Sequence, residues 1–194
     1  MTLGDLLDSI RGRYLTQFRD SIAEISSAGR RAIVEPALRD ECGTLVGEGA
    51  LRLPLRGDVF VVDDGQPAES CRVDSESVLL FEPIRLVWGN VVQVRVTPFP
   101  WDGCDVRVIG IPSSTDWARL RDWFDKWFDA EDTRQAGEQG LSGVIHFLSD
   151  PEHDGSAATF QVDFGSAPVE AFEGLMDALR ESGATGIEIG NDQA

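Results

Sequence analysis

The residues with the most varied chemistry lie in one run, His146 to Asp154, which reads HFLSDPEHD. Imidazoles from His146 and His153 and carboxylates from Asp150, Glu152 and Asp154 crowd around a turn, and Asp163 follows on the strand that should return from it. Imidazole and carboxylate together suit a divalent metal or acid–base work, and the ligand set of that reading is His146, His153 and Asp163. The spacing matches no specific motif. Asp, Pro and Gly at a hairpin tip equally serve an exposed turn.

Little else has the pattern of a catalytic site. The chain has two histidines and no GxSxG, HExxH, GxGxxG or calcium-loop signature. Lys126 is the sole lysine, so the GK[ST] of a phosphate loop is absent. These observations point away from an enzyme and imply no cofactor. Two other surfaces attract attention. In the loop PFPWDGC, two prolines hold Phe99 and Trp101 at a strand connection, where rigid aromatics could anchor a partner at low entropic cost or fold back as a lid. Arg85, Arg95 and Arg107 fall on one face of the expected sheet, with Arg95 across from Arg107. Like charges paired across strands call for something negative over them, either an anionic ligand or acidic groups of the same chain.

Charge is unevenly distributed. The net value is −17; residues 1–112 hold 17 acids and 12 bases, and residues 113–194 hold 17 acids and only 5 bases. Such a field repels phosphate backbones and anionic lipid, which argues against nucleic-acid and membrane-surface binding, and it steers a basic protein toward the second part. The opening MTLGDLLDSIRGRYL lacks a basic start followed by an apolar run, and no apolar stretch approaches the ~20 residues that span a bilayer. A soluble, cytoplasmic protein is expected. Cys42, Cys71 and Cys104 are odd in number and form no CxxC pair, which fits reduced thiols.

The elements that must position these groups can be read from periodicity. Thr2, with Asp5 three residues on, should cap a long helix carrying Leu3, Leu6, Leu7, Ile10, Tyr14, Phe18, Ile22 and Ile25, ended by Gly29. Residues 31–36, 44–55 and 58–63 read as short extended segments, and Asp63 to Ser77 as a loop. Val78 to Gly110 predicts an antiparallel meander. A three-residue loop of Trp88, Gly89 and Asn90 places Leu86 opposite Val92 and Ile84 opposite Val94, and Val96 then matches Val106 on the next strand.

Beyond Pro112, Ser113 to Thr115 offer a cap for an amphipathic helix in DWARLRDWFDKWFDAED. Its residues Trp117, Leu120, Trp123, Phe124, Trp127 and Phe128 share an arc roughly 140° wide. Trp123 sits at the margin of that arc, and Asp122, Asp125 and Asp129 occupy the outer face. The helix fades into AEDTRQAGEQG. Leu141 to Leu148 and Ala157 to Phe164 predict a hairpin, Pro168 opens a last helix, and TGIEIG forms a final strand.

The fold class expected is α+β: a mainly antiparallel sheet with helices on one face, a long N-terminal helix, and a second lobe ordered β-β-α-β-β-α-β. Residues 1–76 form the first lobe and 77–194 the second, or the two make one continuous domain. Charge and the aromatic loop together favour a non-catalytic protein-binding module, for instance an inhibitor or immunity-type protein that masks a basic toxin or nuclease. Phe99, Trp101, Trp123, Asp122, Asp125 and Asp129 would be its contacts. The alternatives are a small metal-dependent enzyme or binder built on the histidine hairpin and an anion-binding domain built on the arginines.

Overall fold

A computed structural model describes residues 2–63, 66–75, 77–137 and 140–190. Helix α1 (Leu3–Ser27) begins as its sequence demands: the Thr2 hydroxyl accepts from the Asp5 amide, and the Asp5 carboxylate accepts from the Thr2 amide, closing a capping box. Its buried stripe is Leu6, Leu7, Ile10, Tyr14, Leu15, Phe18 and Ile25. Gly29, at φ 72°, takes the left-handed turn that stops it.

Strands β1 (Arg31–Val34), β4 (Val59–Asp63) and β5 (Gln66–Cys71) form a small antiparallel sheet in the order β1-β4-β5, with a two-stranded ladder of β2 (Gly47–Glu48) and β3 (Leu53–Pro54) between them in sequence. Strand β5 replaces the loop expected after Asp63, because pairing with β4 satisfies backbone groups that polar composition alone assigns to a turn. Residues 64, 65 and 76 of that stretch lie outside the described residues.

The main sheet contains β6 (Ile84–Trp88), β7 (Val92–Val96), β8 (Cys104–Ile109), β9 (Phe147–Leu148), β10 (Glu152–Asp154), β11 (Ala157–Asp163) and β12 (Gly186–Ile189). It runs β10-β11-β8-β12-β7-β6, with β9 beside the far end of β11. In the β6–β7 hairpin Leu86 faces Val94 and Ile84 faces Val96, a register two residues from that expected, since Trp88 joins the strand opposite Val92. Parity is preserved, so the apolar face is as expected. Gly89 and Asn90 both have positive φ, and the Val91 amide closes the turn on Trp88.

The expected pairing of β7 with β8 does not occur. Strand β12 inserts between them, parallel to β7 and antiparallel to β8. Ile187 and Ile189 thus place two further aliphatic side chains in the inner face, each buried. The second hairpin also changes: only Phe147–Leu148 of the 141–148 segment is strand, and β10 supplies the remaining partner of β11.

Helices α2 (Ala118–Phe128) and α3 (Val169–Glu181) pack on the face carrying Val94, Val106, Phe160 and Ile187, and α1 touches α3 and β1. Burial of Leu120, Trp123, Phe124 and Phe128 anchors α2, each such side chain contributing about 1.5–3 kcal/mol. Its start is held by Asp116, whose carboxylate accepts from the Ala118 amide, rather than by Ser113 to Thr115. The polar stretch after it includes residues 138 and 139, outside the described residues. Buried residues of 1–76 and 77–194 belong to a single contiguous core. Among the described residues no helix is long and apolar enough to cross a membrane.

Candidate metal centre

Three chain segments meet where the small sheet abuts the large one. Val34 pairs with Val59, so the residues just beyond that pair, Glu35 and Asp58, leave the β1–β4 ladder together, and the Glu35 amide donates to the Asp58 carbonyl at 2.7 Å. Glu35 has φ 51°, a left-handed conformation that costs a non-glycine residue energy and is retained where surroundings over-determine it. Those surroundings include Arg56, whose buried guanidinium donates to the carbonyls of Glu35, Phe128 and Asp129 and ties this corner to the end of α2. The third segment is His146, just before β9. Its amide donates to the Asp163 carbonyl at the end of β11, and its carbonyl accepts from the Arg56 amide.

The side chains converge accordingly. His146 Nε2 lies 2.8 Å from Glu35 Oε1, and Nδ1 lies 2.7 Å from Asp58 Oδ1. Glu35 also accepts from the amides of Ser142 and Ser166, at 2.7 and 3.1 Å, and Asp58 Oδ2 accepts from the Val73 amide at 2.6 Å. Asp163 is half-buried, and its Oδ1 accepts from the Gly165 amide. Gly165 has φ 49°, and a Cβ there would overlap the His146 ring, so the turn after β11 requires glycine on two counts. The Phe18 and His146 rings meet in a T-shaped arrangement with centroids 6.1 Å apart, and Tyr14 packs on Phe18 in the same way at 5.7 Å.

Electrostatics follow from this enclosure. Burial alone would drive the His146 pKa down, but hydrogen bonds to Asp58 and Glu35 and the charge of Asp163 outweigh it and raise it to about 10. Burial pushes Glu35 up, yet His146, Ser166 and Ser142 together hold it below the usual range. Asp163 is raised to about 7, first by burial and then by the negative charges of Asp58 and Asp102, against the pull of His146 and the Gly165 amide.

Asp58, His146 and Asp163 each offer a ligand atom, all within 4.8 Å of one another, the only such group among the described residues. Imidazole nitrogen with carboxylate oxygens is a donor set for first-row metals. Glu35 on Nε2 holds the ring with Nδ1 directed at Asp58, the carboxylate–histidine support that metal-ligating imidazoles commonly have.

Of the residues singled out by sequence, His146 and Asp163 come together here. His153 does not: it is exposed on β10, its ring 5.8 Å from that of Trp117. Asp150 instead accepts from the amides of Ala50 and Leu51 at the β2–β3 tip. Glu35 and Asp58 had no sequence signal as site residues, for Asp58 and Glu35 lie 88 and 111 residues from His146. The nearest hint is that each of the two acids borders a short apolar strand.

The other candidates are placed as follows. Phe99 and Trp101 are fully enclosed, and the Trp101 indole donates to the Gly165 carbonyl at 3.1 Å, so this loop folds inward and braces the turn beside Asp163. Trp123 is buried and donates to the Ala171 carbonyl. Asp122 and Asp125 are exposed, while Asp129 caps the end of α2 by accepting from Thr133 and Arg134. Arg85 lies directly opposite Arg95. Arg95 and Arg107 are not opposite each other: inserted β12 puts Glu188 between them, and Arg107 pairs with it at 3.1 Å.

Compared with family models, with curated proteins and with solved structures, the chain gives no match in any of the three.

Proposed function

We propose that this protein is a metal binder whose cation is held by Asp58, His146 and Asp163, with Glu35 positioning the imidazole. The observation supporting it is the convergence of three ligand atoms within 4.8 Å, with the far nitrogen of the same imidazole already engaged by a carboxylate. The cation replaces the Nδ1 proton that otherwise bridges His146 to Asp58, while Nε2–H continues to donate to Glu35. Asp58 comes from the small sheet and His146 and Asp163 from the large one, so a cation there joins the two. It stabilises the folded chain by an amount that grows with the logarithm of its concentration, about 2.7 kcal/mol at 100 times Kd.

The test is metal analysis and thermal unfolding of the full chain with Zn²⁺ or Mn²⁺ added after chelation. One equivalent and a raised Tm are expected. Asp163→Asn should abolish both, and because it leaves the Glu35–His146–Asp58 bridge in place, its metal-free fold serves as the control. A Tm rise of equal size in Asp163→Asn, or no binding to the folded wild type, would overturn the assignment.

A further inference from the structure

The two ends of the large sheet are finished differently. Strand β10 is three residues long, exposed throughout and charged at Glu152 and Asp154, features that keep a sheet edge from pairing with another chain. Strand β6 is five residues long, pairs with β7 in unbroken register, and among the described residues has no strand on its other side. That edge presents a row of backbone donors and acceptors. Of six large apolar side chains exposed among the described residues, four, Val78, Leu80, Val87 and Val91, lie on β6 or beside it in sequence, with Leu80 77% and Val87 50% exposed. Residues 78–91 contain two charged side chains, Glu82 and Arg85, both exposed and opposite in sign. In a chain of net charge −17, whose overall field opposes self-association, this stretch is neutral and apolar.

We infer that β6 is a dimerisation edge, pairing antiparallel with β6 of a second copy of this chain so that the two large sheets join across a two-fold axis. The exposure pattern sets the register. Ile84, Leu86 and Trp88 are half-buried while Arg85 and Val87 are exposed; upstream, Leu79 and Phe81 are half-buried while Leu80 and Glu82 are exposed. The alternation of a strand thus runs through both halves and slips by one residue at Glu82 and Pro83. A two-fold at Ile84 satisfies both halves: Ile84 meets its own symmetry mate, Glu82 and Pro83 together oppose Arg85 of the second copy as a bulge, and Phe81, Leu80 and Leu79 then meet Leu86, Val87 and Trp88. Proline has no amide to donate and is tolerated at a bulge. Half-buried side chains meet half-buried ones, and exposed Leu80 covers exposed Val87, twice by symmetry. The same register brings each Glu82 carboxylate to an Arg85 guanidinium. Arg85 already faces Arg95 within its own sheet, a like-charge pair that an acid on the other side offsets. Charge complementarity selects a second copy as the occupant, because the segment itself supplies both members of the pair.

The experiment is sedimentation equilibrium of the full chain over a concentration series at physiological salt. Wild type should approach twice the chain mass of 21.2 kDa. Arg85→Glu and Glu82→Arg each set like charges against each other at two symmetric positions, and each should weaken the dimer by about tenfold. The double variant Glu82→Arg/Arg85→Glu restores opposite pairs and should recover the dimer. Both side chains are exposed, so the circular dichroism of every variant should match wild type, which separates lost association from lost folding. A wild type that stays monomeric at every concentration, leaving the edge to a strand of some other protein, overturns the inference. So does a dimer that neither single variant weakens, or one that the double variant fails to restore.

Discussion

The buried corner around His146 and the open face of the large sheet use the same ingredients, carboxylates set against cationic groups, and they differ in how much water reaches them. At the corner, the side chains of His146, Glu35 and Asp58 are 1%, 0% and 8% exposed, and backbone amides bind the carboxylate oxygens that the imidazole does not. On the open face, Arg107 and Glu188 meet at 3.1 Å while 46% and 35% exposed, along a cleft of about 630 Å³ that also includes Arg95, Asp105 and Gln161. Water screens the second pair and not the first, so similar distances carry different energies. Proximity of charges therefore identifies a candidate site only when burial and hydrogen bonding make the arrangement costly to leave incomplete.

The sharpest way to break this comparison is His146→Ala in the metal-free protein. Two buried carboxylates would lose their shared cation, and removing one member of such a group costs ~3–5 kcal/mol. Chemical denaturation should report that loss. A change below ~1 kcal/mol would place the corner in the same class as the surface.

A pH titration of Tm under chelation tests the same contrast without mutation. The folded pKa of His146, about 10, exceeds its ordinary 6.5. Its contribution to stability is then fully present below about 6.5 and disappears as pH rises toward and through 10. Tm should fall over that window in wild type and in His153→Ala alike, because His153 is exposed. A Tm that is flat between those limits would contradict the buried imidazolium.

Gly165→Ala probes the wall of the site. Its Cβ would overlap the imidazole and force a left-handed residue to carry a side chain, for an expected loss of ~1–3 kcal/mol together with weaker metal binding. Wild-type stability in this variant would mean that the turn and the ring are not in close contact. The smallest effect is reserved for the open face: Glu188→Gln should cost ~0.2–1 kcal/mol and respond to salt, as exposed pairs do. A loss matching that of His146→Ala would erase the distinction between the two regions.

Much of the architecture was legible in the sequence. The Thr2/Asp5 cap, the stripe on α1, the aromatic face of α2 and the parity of the β6–β7 hairpin all follow from local spacing, which is read over a few residues. The failures share one cause. Nothing local in TGIEIG says that it enters between β7 and β8, and nothing in PFPWDGC says that its tryptophan turns inward to hold Gly165. The candidate site was half legible: a histidine and an aspartate in the right hairpin could be named, but His153, seven residues along, was grouped with them by nearness in sequence.

What the sequence by itself determined is where most helices and strands form, which faces they bury, and that the second part of the chain carries most of the net negative charge. These depend on interactions within a turn or between adjacent residues. Only the tertiary structure decided that Glu35 and Asp58 would clasp His146 and that Asp163 would close the group. Those contacts join residues far apart along the chain, and they arise from the packing of a small sheet, a large sheet and a helix, to which the local patterns of each element carry no reference.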